Sequence, residues 1–532
     1  MAASTASSST VAHPLLWEQV TLAWPARVCR ASIPFLLLCL LSYALFFFRL
    51  GDRDLWSSHE GRAAQDAQSI LLDQAWGLPK LFCLQVDLQK PPLYYWLVAC
   101  VAWLRGGSVD AWCVRFPAAA SGMACVLLLY AFGLRCGRQR SGFIAAALLA
   151  TSMHFTWLAH IGRIDMPLTL AVAVCICFSY LGLNAHRQAG GRAGWGWFAG
   201  VYLAVASALL LKGPIGLLLP FVVVTSHLLV ERFLNRHQPN RISLWRLVHG
   251  IGLWWGLPLI LLVVSPWFLW VNHQTHGEFF RVFFWKHNVE RGLGSGALHV
   301  HPWWFYIPRM AFDFLPWSPL LIPAGWWLFR KSWKSDSLAR FGWIWLTGIV
   351  VVLSCSGFKR ADYLLPAFPG AALLIGCALD RWLQLHPRLR IHAAALGVIS
   401  GCALVGGWIY YLAVQLPETE PEREMRTFAA NIRRFAPVPQ PIIFFRTESH
   451  ALAFHVGRPV DSILEWENVD TWASRAGTYF VVMPAEMVTE WPAHVHSGTL
   501  TELARNDPST GRPHEEPLVL LKTGPLQRPS GR

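Results

Sequence analysis

The sequence predicts an all-α polytopic membrane protein that carries a small extracytoplasmic α/β domain at its C-terminal end. Three observations predict it. Of 532 residues, 54% are hydrophobic and only 14% charged, where soluble domains carry roughly a quarter charged residues. Twelve apolar runs, most near the length that crosses a bilayer, follow one another up to Leu416. Beyond Leu416 the chain turns charged and its apolar runs shorten to strand length.

The net charge of +14 does not point to nucleic acid. The basic residues sit in short clusters between apolar runs, where the excess of Lys and Arg on cytoplasmic loops accounts for them. Most of the 12 Cys lie inside apolar runs and act as small hydrophobes. No paired CxxC spacing suggests structural zinc. Cys83 and Cys113 are the one pair that could meet outside the membrane. No internal repeat of solenoid or propeller period is present.

Taken in order, residues 1–30 form a cytoplasmic tail, with Arg27 and Arg30 just before the first apolar run, 31–50. No small-residue cleavage site follows that run, so it reads as a retained span. Further runs occur at 91–104, 117–134, 141–159, 166–184, 195–211, 213–230, 250–271, 303–328, 341–356, 363–380 and 391–414. If every run crosses, the clusters at 135–140, 187–192, 232–246, 330–340 and 381–390 fall outside the cell, against the positive-inside bias. The run 91–104 is too short for a hydrocarbon core that needs roughly 20 helical residues. Treated as interfacial or re-entrant, it returns every cluster to the cytoplasm and leaves about eleven spans, within a range of 11–13, in a transmembrane region 31–416.

The first external loop, 51–116, then gathers charge in a chain that avoids it. Within it, 57–74 has Ala64, Ala67, Ile70 and Leu71 at helical spacing, with Glu60, Arg62, Asp66 and Asp73 off that face. This predicts a helix lying along the bilayer surface. The alternative is a solvated linker. After Leu416, a domain over 417–526 is expected, with strands at 441–446, 478–483 and 517–522 and helices at 422–435 and 469–475, followed by a tail 527–532.

With this topology Glu60, Arg62, Lys90, Arg163, Asp165, Lys212, His287, Arg291, His301, Lys359 and Arg360 share the external side, most of them near a helix end. Charge there is tolerable residue by residue. The shared side is the informative part. Guanidinium forks and lysine ammoniums suit a lipid-borne phosphate, and a nearby carboxylate suits work on a hydroxyl. The competing readings are structural: Lys212 and Lys359 snorkelling from helix ends, and Arg309 with Asp313 as an intrahelical ion pair.

The motifs H-E-G-R at 59–62, Q-K-P-P-L-Y-Y-W at 89–96, G-R-I-D-M-P-L-T at 162–169, L-K-G-P-I-G-L-L-L-P at 211–220, K-H-N-V-E-R at 286–291, F-L-P-W-S at 314–318 and S-G-F-K-R-A-D-Y-L-L-P at 356–366 occur in this order. In that order and spacing the chain resembles the bacterial lipid A aminoarabinose transferases and, more distantly, the dolichyl-phosphate-mannose protein mannosyltransferases, which share the GT-C membrane fold. The resemblance runs from the first span to about Leu416. It implies a GT-C enzyme of the bacterial inner membrane with its active site on the periplasmic side. Such an enzyme moves a sugar from a polyprenyl (undecaprenyl) phosphate carrier to a lipid A-like or protein acceptor, with inversion at the anomeric carbon.

Carried over by position, the resemblance implies catalytic roles for Glu60 and Asp165. It implies donor phosphate or substrate binding by Arg62, Lys90, Arg163, Lys212, Arg291, Lys359, Arg360 and Tyr363. Two departures stand out: His59 replaces the aspartate of an Asp-Glu pair, and Gln89 replaces the glutamate of Glu-Lys-Pro-Pro. That glutamate can help hold a divalent metal ion in the aminoarabinose enzymes, which leaves His287 and Asp87 as the candidate ligands here. The implied partners are a polyprenyl-phosphate-linked sugar, a lipid or protein acceptor and membrane lipids, with no nucleic acid. Two other function classes compete. A flippase of lipid-linked sugar needs charge near mid-span, and a sugar-binding scaffold would have lost its site at His59 and Gln89.

Overall fold

The computed structural model describes residues 24–525, except 82–84, 191, 235, 237–243, 291–300, 421–423, 476 and 507–515. The predicted tail 527–532, the first part of the predicted N-terminal tail, Cys83 and Arg291 therefore lie outside the described residues. Cys113 is a buried free thiol.

The chain opens with α1 (Trp24–Phe46), α2 (Ser58–Asp73), α3 (Leu93–Leu104) and α4 (Ala111–Arg135). Next come α5 (Gln139–Ala150), α6 (Met153–Ala159), α7 (Asp165–Ala189), α8 (Trp195–Lys212) and α9 (Ile215–Leu234). The long helices that follow are α10 (Leu253–Gln274), α11 (Ser337–Cys355), α12 (Phe368–Leu385) and α13 (Arg390–Tyr410).

Among the described residues eight helices are long and apolar enough to cross a membrane, or nine if α5 and α6, bent by 68°, form one span. That is fewer than the eleven expected, for three local reasons. The run 141–159 breaks at Thr151–Ser152. The run 303–328 is no single rod but a series of short helical pieces, 303–305, 306–313, 318–320 and 321–327, interrupted around Pro316 and Pro319, because proline supplies no backbone N–H to the helical ladder. The helix α1 carries a shorter apolar stretch, Ser32–Phe46.

The 12-residue α3 is about 18 Å long at 1.5 Å per residue, well short of a hydrocarbon core of about 30 Å. Tyr94, Tyr95, Val98, Ala99 and Ala102 are buried, so one face of α3 packs on the protein.

Each long helix joins two differently charged ends. At one end Arg138 pairs with Asp336 (3.1 Å), Ser141 donates to Asp380 (2.7 Å), and Glu231 meets Arg340 and Arg187. At the other end lie Arg115, Asp165, Lys212 and Lys359. The loops expected in the cytoplasm thus gather at one end of the bundle and the candidate site residues at the other. Where α4 returns into α5 the helices almost touch: a Cβ on Gly133 would lie 2.5 Å from the Gly142 Cα, so no larger residue fits there.

The helix α2 forms where expected, capped by Ser57, whose hydroxyl accepts from the Glu60 N–H (3.3 Å). Its environment differs from the expectation. Ala63, Ala64, Ala67 and Ile70 pack into the protein core rather than onto a bilayer surface, and Glu60 and Asp66, expected off that face, are buried as well. The cover comes from α3 and α4 together with the C-terminal domain.

That domain holds a five-stranded sheet in the order β2-β1-β3-β5-β4, formed by β1 (Ile442–Phe445), β2 (Asp461–Ile463), β3 (Phe480–Pro484), β4 (Gly498–Arg505) and β5 (Leu518–Pro525). Strands β1, β2 and β3 run parallel, and β5 is antiparallel to both β3 and β4. The parallel crossovers are made by α14 (His450–Val456) and α15 (Trp466–Ser474). The three apolar runs read as strands are β1, β3 and β5; the sequence reading missed β2 and β4, which lie at the sheet edges and carry no continuous apolar run.

Helix α14 packs on α2. A Cβ on Gly61 would fall 2.6 Å from the Ala451 nitrogen, so glycine is what lets the two backbones meet. Asp54 fastens the same junction, accepting from Met425 N (3.0 Å) and pairing with His455 (2.7 Å) and Arg426 (3.2 Å).

Candidate active site

The bundle end that carries the candidate residues opens into a cavity of about 810 Å³. Its polar end is lined by Gln89, Lys90, Asp165, Lys212, His287, Asn288, Ser356, Asp362 and Tyr363. Its apolar wall runs along α9 through Ile215, Leu217, Leu218, Leu219 and Phe221 and along α11 through Val352 and Leu353. Leu217, Leu218 and Phe221 are 44–60% exposed, so the wall faces the zone that lipid chains occupy around a membrane protein.

The polar residues are set by helix ends. Asp165 begins α7 and Lys212 ends α8. Lys212 Nζ lies 2.5 Å from Asp165 Oδ1 and 3.9 Å from the centre of the Tyr363 ring, so one carboxylate and one aromatic face aim the ammonium. From there a chain of charged contacts runs backwards. Asp165 Oδ2 meets Arg163 (3.4 Å), Arg163 holds Asp362 (2.7 Å), and Asp362 lies 3.8 Å from Arg360. His154 also reaches Asp362 (3.3 Å). Arg360 in turn donates to His59 Nε2 (3.3 Å), which places the His59 ring proton on Nδ1, since guanidinium can only donate.

Lys90 lines the same end and forms no ion pair among the described residues. Burial lowers its pKa to about 8, against the pull of Asp165 and Asp87. Its ammonium is available to the cavity that it lines. His59 is held down to about 2 by burial and by the charges of Lys90, Arg163 and Arg360, so its imidazole is neutral.

Four of the expected site residues do other work. Glu60 was expected to act on substrate. It is fully buried and saturated instead, with Arg115 gripping both oxygens (2.8 and 2.9 Å) and the N–H groups of Gly162 and Trp56 donating to them (2.7 Å each). Arg115 also donates to the carbonyls of Leu50 (3.0 Å), Arg53 (3.1 Å) and Asp54 (2.6 Å). The pair folds the 50–56 loop over α4. Burial works against the Glu60 charge, but Arg115 outweighs it and holds the carboxyl down to about 2.

Lys359 is buried and donates to the carbonyls of His301 (3.0 Å) and Ser356. It ties two loops and does not line the cavity. Arg62 pairs with Asp87 (3.5 Å) and reaches His450 Nε2 (3.3 Å) in the C-terminal domain. Asp87 also accepts from the Gln89 N–H (2.9 Å) and so shapes the turn that presents Lys90. Arg309 and Asp313 form an intrahelical pair (2.7 Å).

The suggested metal ligands do not assemble into a centre. His287 lines the cavity, whereas Asp87 is occupied by Arg62. Among the described residues no three His, Cys, Asp or Glu side chains converge as metal ligands. The described residues thus offer Asp87 and His287 no third ligand.

Sequence reasoning missed Asp362, Arg115 and His450. Arg115 had a signal, since a lone charge among A-W-C-V and F-P-A-A-A calls for a buried partner. Asp362 sat in plain view within the K-R-A-D-Y-L-L-P motif. His450 had none, because its contacts to Arg62 and Gln65 cross nearly the whole chain.

Comparison with known proteins finds relatives in both sequence and fold. A family model described as dolichyl-phosphate-mannose-protein mannosyltransferase matches residues 89–270. The chain is 29% identical over 389 residues to an undecaprenyl phosphate-alpha-4-amino-4-deoxy-L-arabinose arabinosyl transferase of Pseudomonas aeruginosa, covering 72% of this chain and 67% of the relative. A Pseudomonas fluorescens protein of the same description is 28% identical, covering 75% and 68%. In fold, the chain is similar to ArnT from Cupriavidus metallidurans bound to undecaprenyl phosphate, with TM-score 0.72 and 18% identity over 91% of this chain and 97% of that one. It is similar also to the archaeal oligosaccharyltransferase AglB from Archaeoglobus fulgidus, with TM-score 0.55 and 11% identity over 95% and 75%. A multi-pass bundle and these likenesses give the chain the GT-C type of membrane fold, with sequence similarity to the aminoarabinose transferases over 72% of its length.

Proposed function

We propose that this protein transfers a sugar from a polyprenyl phosphate, undecaprenyl phosphate in a bacterial inner membrane, to a lipid A-like acceptor, with a protein acceptor as the alternative. The reaction takes place at the extracytoplasmic end of the bundle. The observation that carries this reading is the divided cavity: two lysines at one end, and an aliphatic wall along α9 and α11 at the other. A polyprenyl chain fits the wall by burial of apolar surface, and its phosphate then lies at Lys90 and Lys212. The names of the relatives support the carrier.

The reaction is a single displacement. The acceptor oxygen attacks the anomeric carbon from the face opposite the phosphate, the C–O bond to the phosphate breaks, and the electron pair leaves on the phosphate oxygen. Configuration inverts. The leaving group gains one negative charge as it departs, so Lys90 and Lys212 stabilise it more than they stabilise the bound donor, which is what acceleration requires. Asp165 is the carboxylate at the reacting end. Its Oδ1 orients Lys212 and its Oδ2, 3.4 Å from Arg163, positions the acceptor hydroxyl, whose proton passes to the departing phosphate once the bond has broken, while Arg163 and Arg360 hold Asp362 behind it. Glu60 builds the loop and touches no substrate.

The test is transfer by the purified full chain in detergent from an undecaprenyl-phosphate-linked sugar to lipid A, followed by mass spectrometry. Product formation that is lost in Lys212→Ala supports the reading. Movement of the carrier lipid across liposomes without sugar transfer contradicts it and favours a flippase.

A further inference from the structure

Resting on the transfer reading above, we propose that the donor sugar of this enzyme carries no positive charge: the site takes an uncharged or acidic sugar on its polyprenyl phosphate, not an amino sugar. The argument is the balance of charge at the polar end of the cavity. Four cations stand there, Lys90 and Lys212 on the wall and Arg163 and Arg360 directly behind it, against two carboxylates, Asp165 and Asp362. The excess is two positive charges.

A sugar phosphodiester brings one negative charge and the departing phosphate brings two. The carrier alone therefore satisfies the excess at the point of bond breaking. Among the described residues no carboxylate remains for an ammonium on the sugar. Both carboxylates are already engaged, Asp165 by Lys212 and Arg163 and Asp362 by Arg163, Arg360 and His154.

Groups further out do not restore the balance. Arg62 cancels Asp87, Arg115 cancels Glu60 and Arg309 cancels Asp313. Lys359 adds a positive charge, although carbonyls absorb it. Burial and the neighbouring Asp87 charge drive Asp66 toward its neutral acid. The remaining polar positions, His59 beside Arg360 and Gln89 at the cavity rim, are an imidazole held neutral and an amide. An ammonium placed here would be a desolvated charge among like charges, which is costly. A hydroxyl is tolerated, and a uronate carboxylate meets a surround of net positive charge.

The test uses the purified full chain and a short-chain polyprenyl phosphate, free and linked to a neutral pentose, a uronic acid, 4-amino-4-deoxyarabinose or its N-acetyl derivative. Binding is measured by calorimetry at pH 7. We expect the neutral and acidic conjugates to bind at least about tenfold more tightly than the amino conjugate, roughly the effect of one like charge at a partly solvated site. We also expect N-acetylation to remove most of that difference, since it cancels the charge while adding bulk, and H59D to narrow it. Amino-sugar binding equal to or tighter than that of the neutral conjugate, or a penalty that acetylation leaves in place, overturns the proposal. Failure of the free polyprenyl phosphate to bind is a different result: it removes the carrier reading itself, and the sugar assignment with it.

Discussion

Two carboxylates, Glu60 and Asp165, both face arginine, yet their surroundings give them different work. Glu60 has every acceptor site filled by Arg115 and two backbone N–H groups in a sealed position, while Asp165 stands on the wall of a cavity. Glu60→Gln leaves Arg115 as an uncompensated buried charge. It is expected to cost about 3–5 kcal/mol, read as a lower unfolding temperature and poor membrane yield, with turnover per folded molecule largely kept. Asp165→Asn is expected to cut transfer per folded molecule by about two to three orders of magnitude, the usual cost of losing a group that acts in the transition state, with a smaller loss of stability than Glu60→Gln because Lys212 and Arg163 are less deeply buried than Arg115.

Lys90 adds a pH dependence. Burial brings its pKa to about 8, so the free enzyme loses this cation as pH rises through that value. Donor KM is expected to climb above pH 8 in the wild type and to lose that limb in Lys90→Arg. At this scale the sequence carried most of the cavity, since Lys90, Asp165, Lys212, His287 and Tyr363 were all named from motifs. It could not separate them from Glu60 and Lys359, because a motif records which residues matter and not whether a side chain faces a cavity or a neighbouring carbonyl.

At the scale of elements, helix length and amphipathic pattern were readable and partner surfaces were not. The shortness of α3 follows from counting residues. The spacing of Ala64, Ala67 and Ile70 gave α2, but the same stripe fits a bilayer surface and a protein core equally well, and only the packing of α3, α4 and α14 decides between them. The misjudged buried side of α2 also hides Asp66, both of whose carboxylate oxygens lack a hydrogen-bond partner among the described residues.

Burial and Asp87 raise the Asp66 pKa well above its ordinary value. Between the unfolded and the folded pKa the native protein holds a proton that the unfolded chain releases, so stability falls as pH rises through that interval. Asp66→Asn keeps the shape without the proton. It is expected to stabilise the protein by about 1–3 kcal/mol at neutral pH, with the gain shrinking toward pH 4. A thermal-unfolding series across pH checks this, and an equal shift at every pH would count against it.

For the whole molecule, the bundle and the C-terminal domain are packed together through α2 and α14. Helix α14 lies on the helix that carries His59 and Arg62, and His450 reaches both Arg62 and Gln65. Gly61→Leu is expected to separate the two, since a Cβ there already falls 2.6 Å from the Ala451 backbone. Limited proteolysis near 417–425 should accelerate at least severalfold, and transfer should drop with it. The sequence foretold a bundle with an appended α/β domain from the change in composition at Leu416. It could not foretell the docking, which depends on contacts nearly four hundred residues apart in sequence, such as Gln65 with His450.

The central claim is that Lys90 and Lys212 hold the phosphate of a polyprenyl carrier whose chain lies along α9 and α11. Equilibrium binding of undecaprenyl phosphate to the purified wild type and to the Lys90→Ala/Lys212→Ala variant tests it most directly. The account predicts an affinity lower by about a hundredfold in the variant, one tenfold step for each lost charge-assisted contact, with its unfolding temperature little changed. An affinity within twofold of the wild type would contradict it.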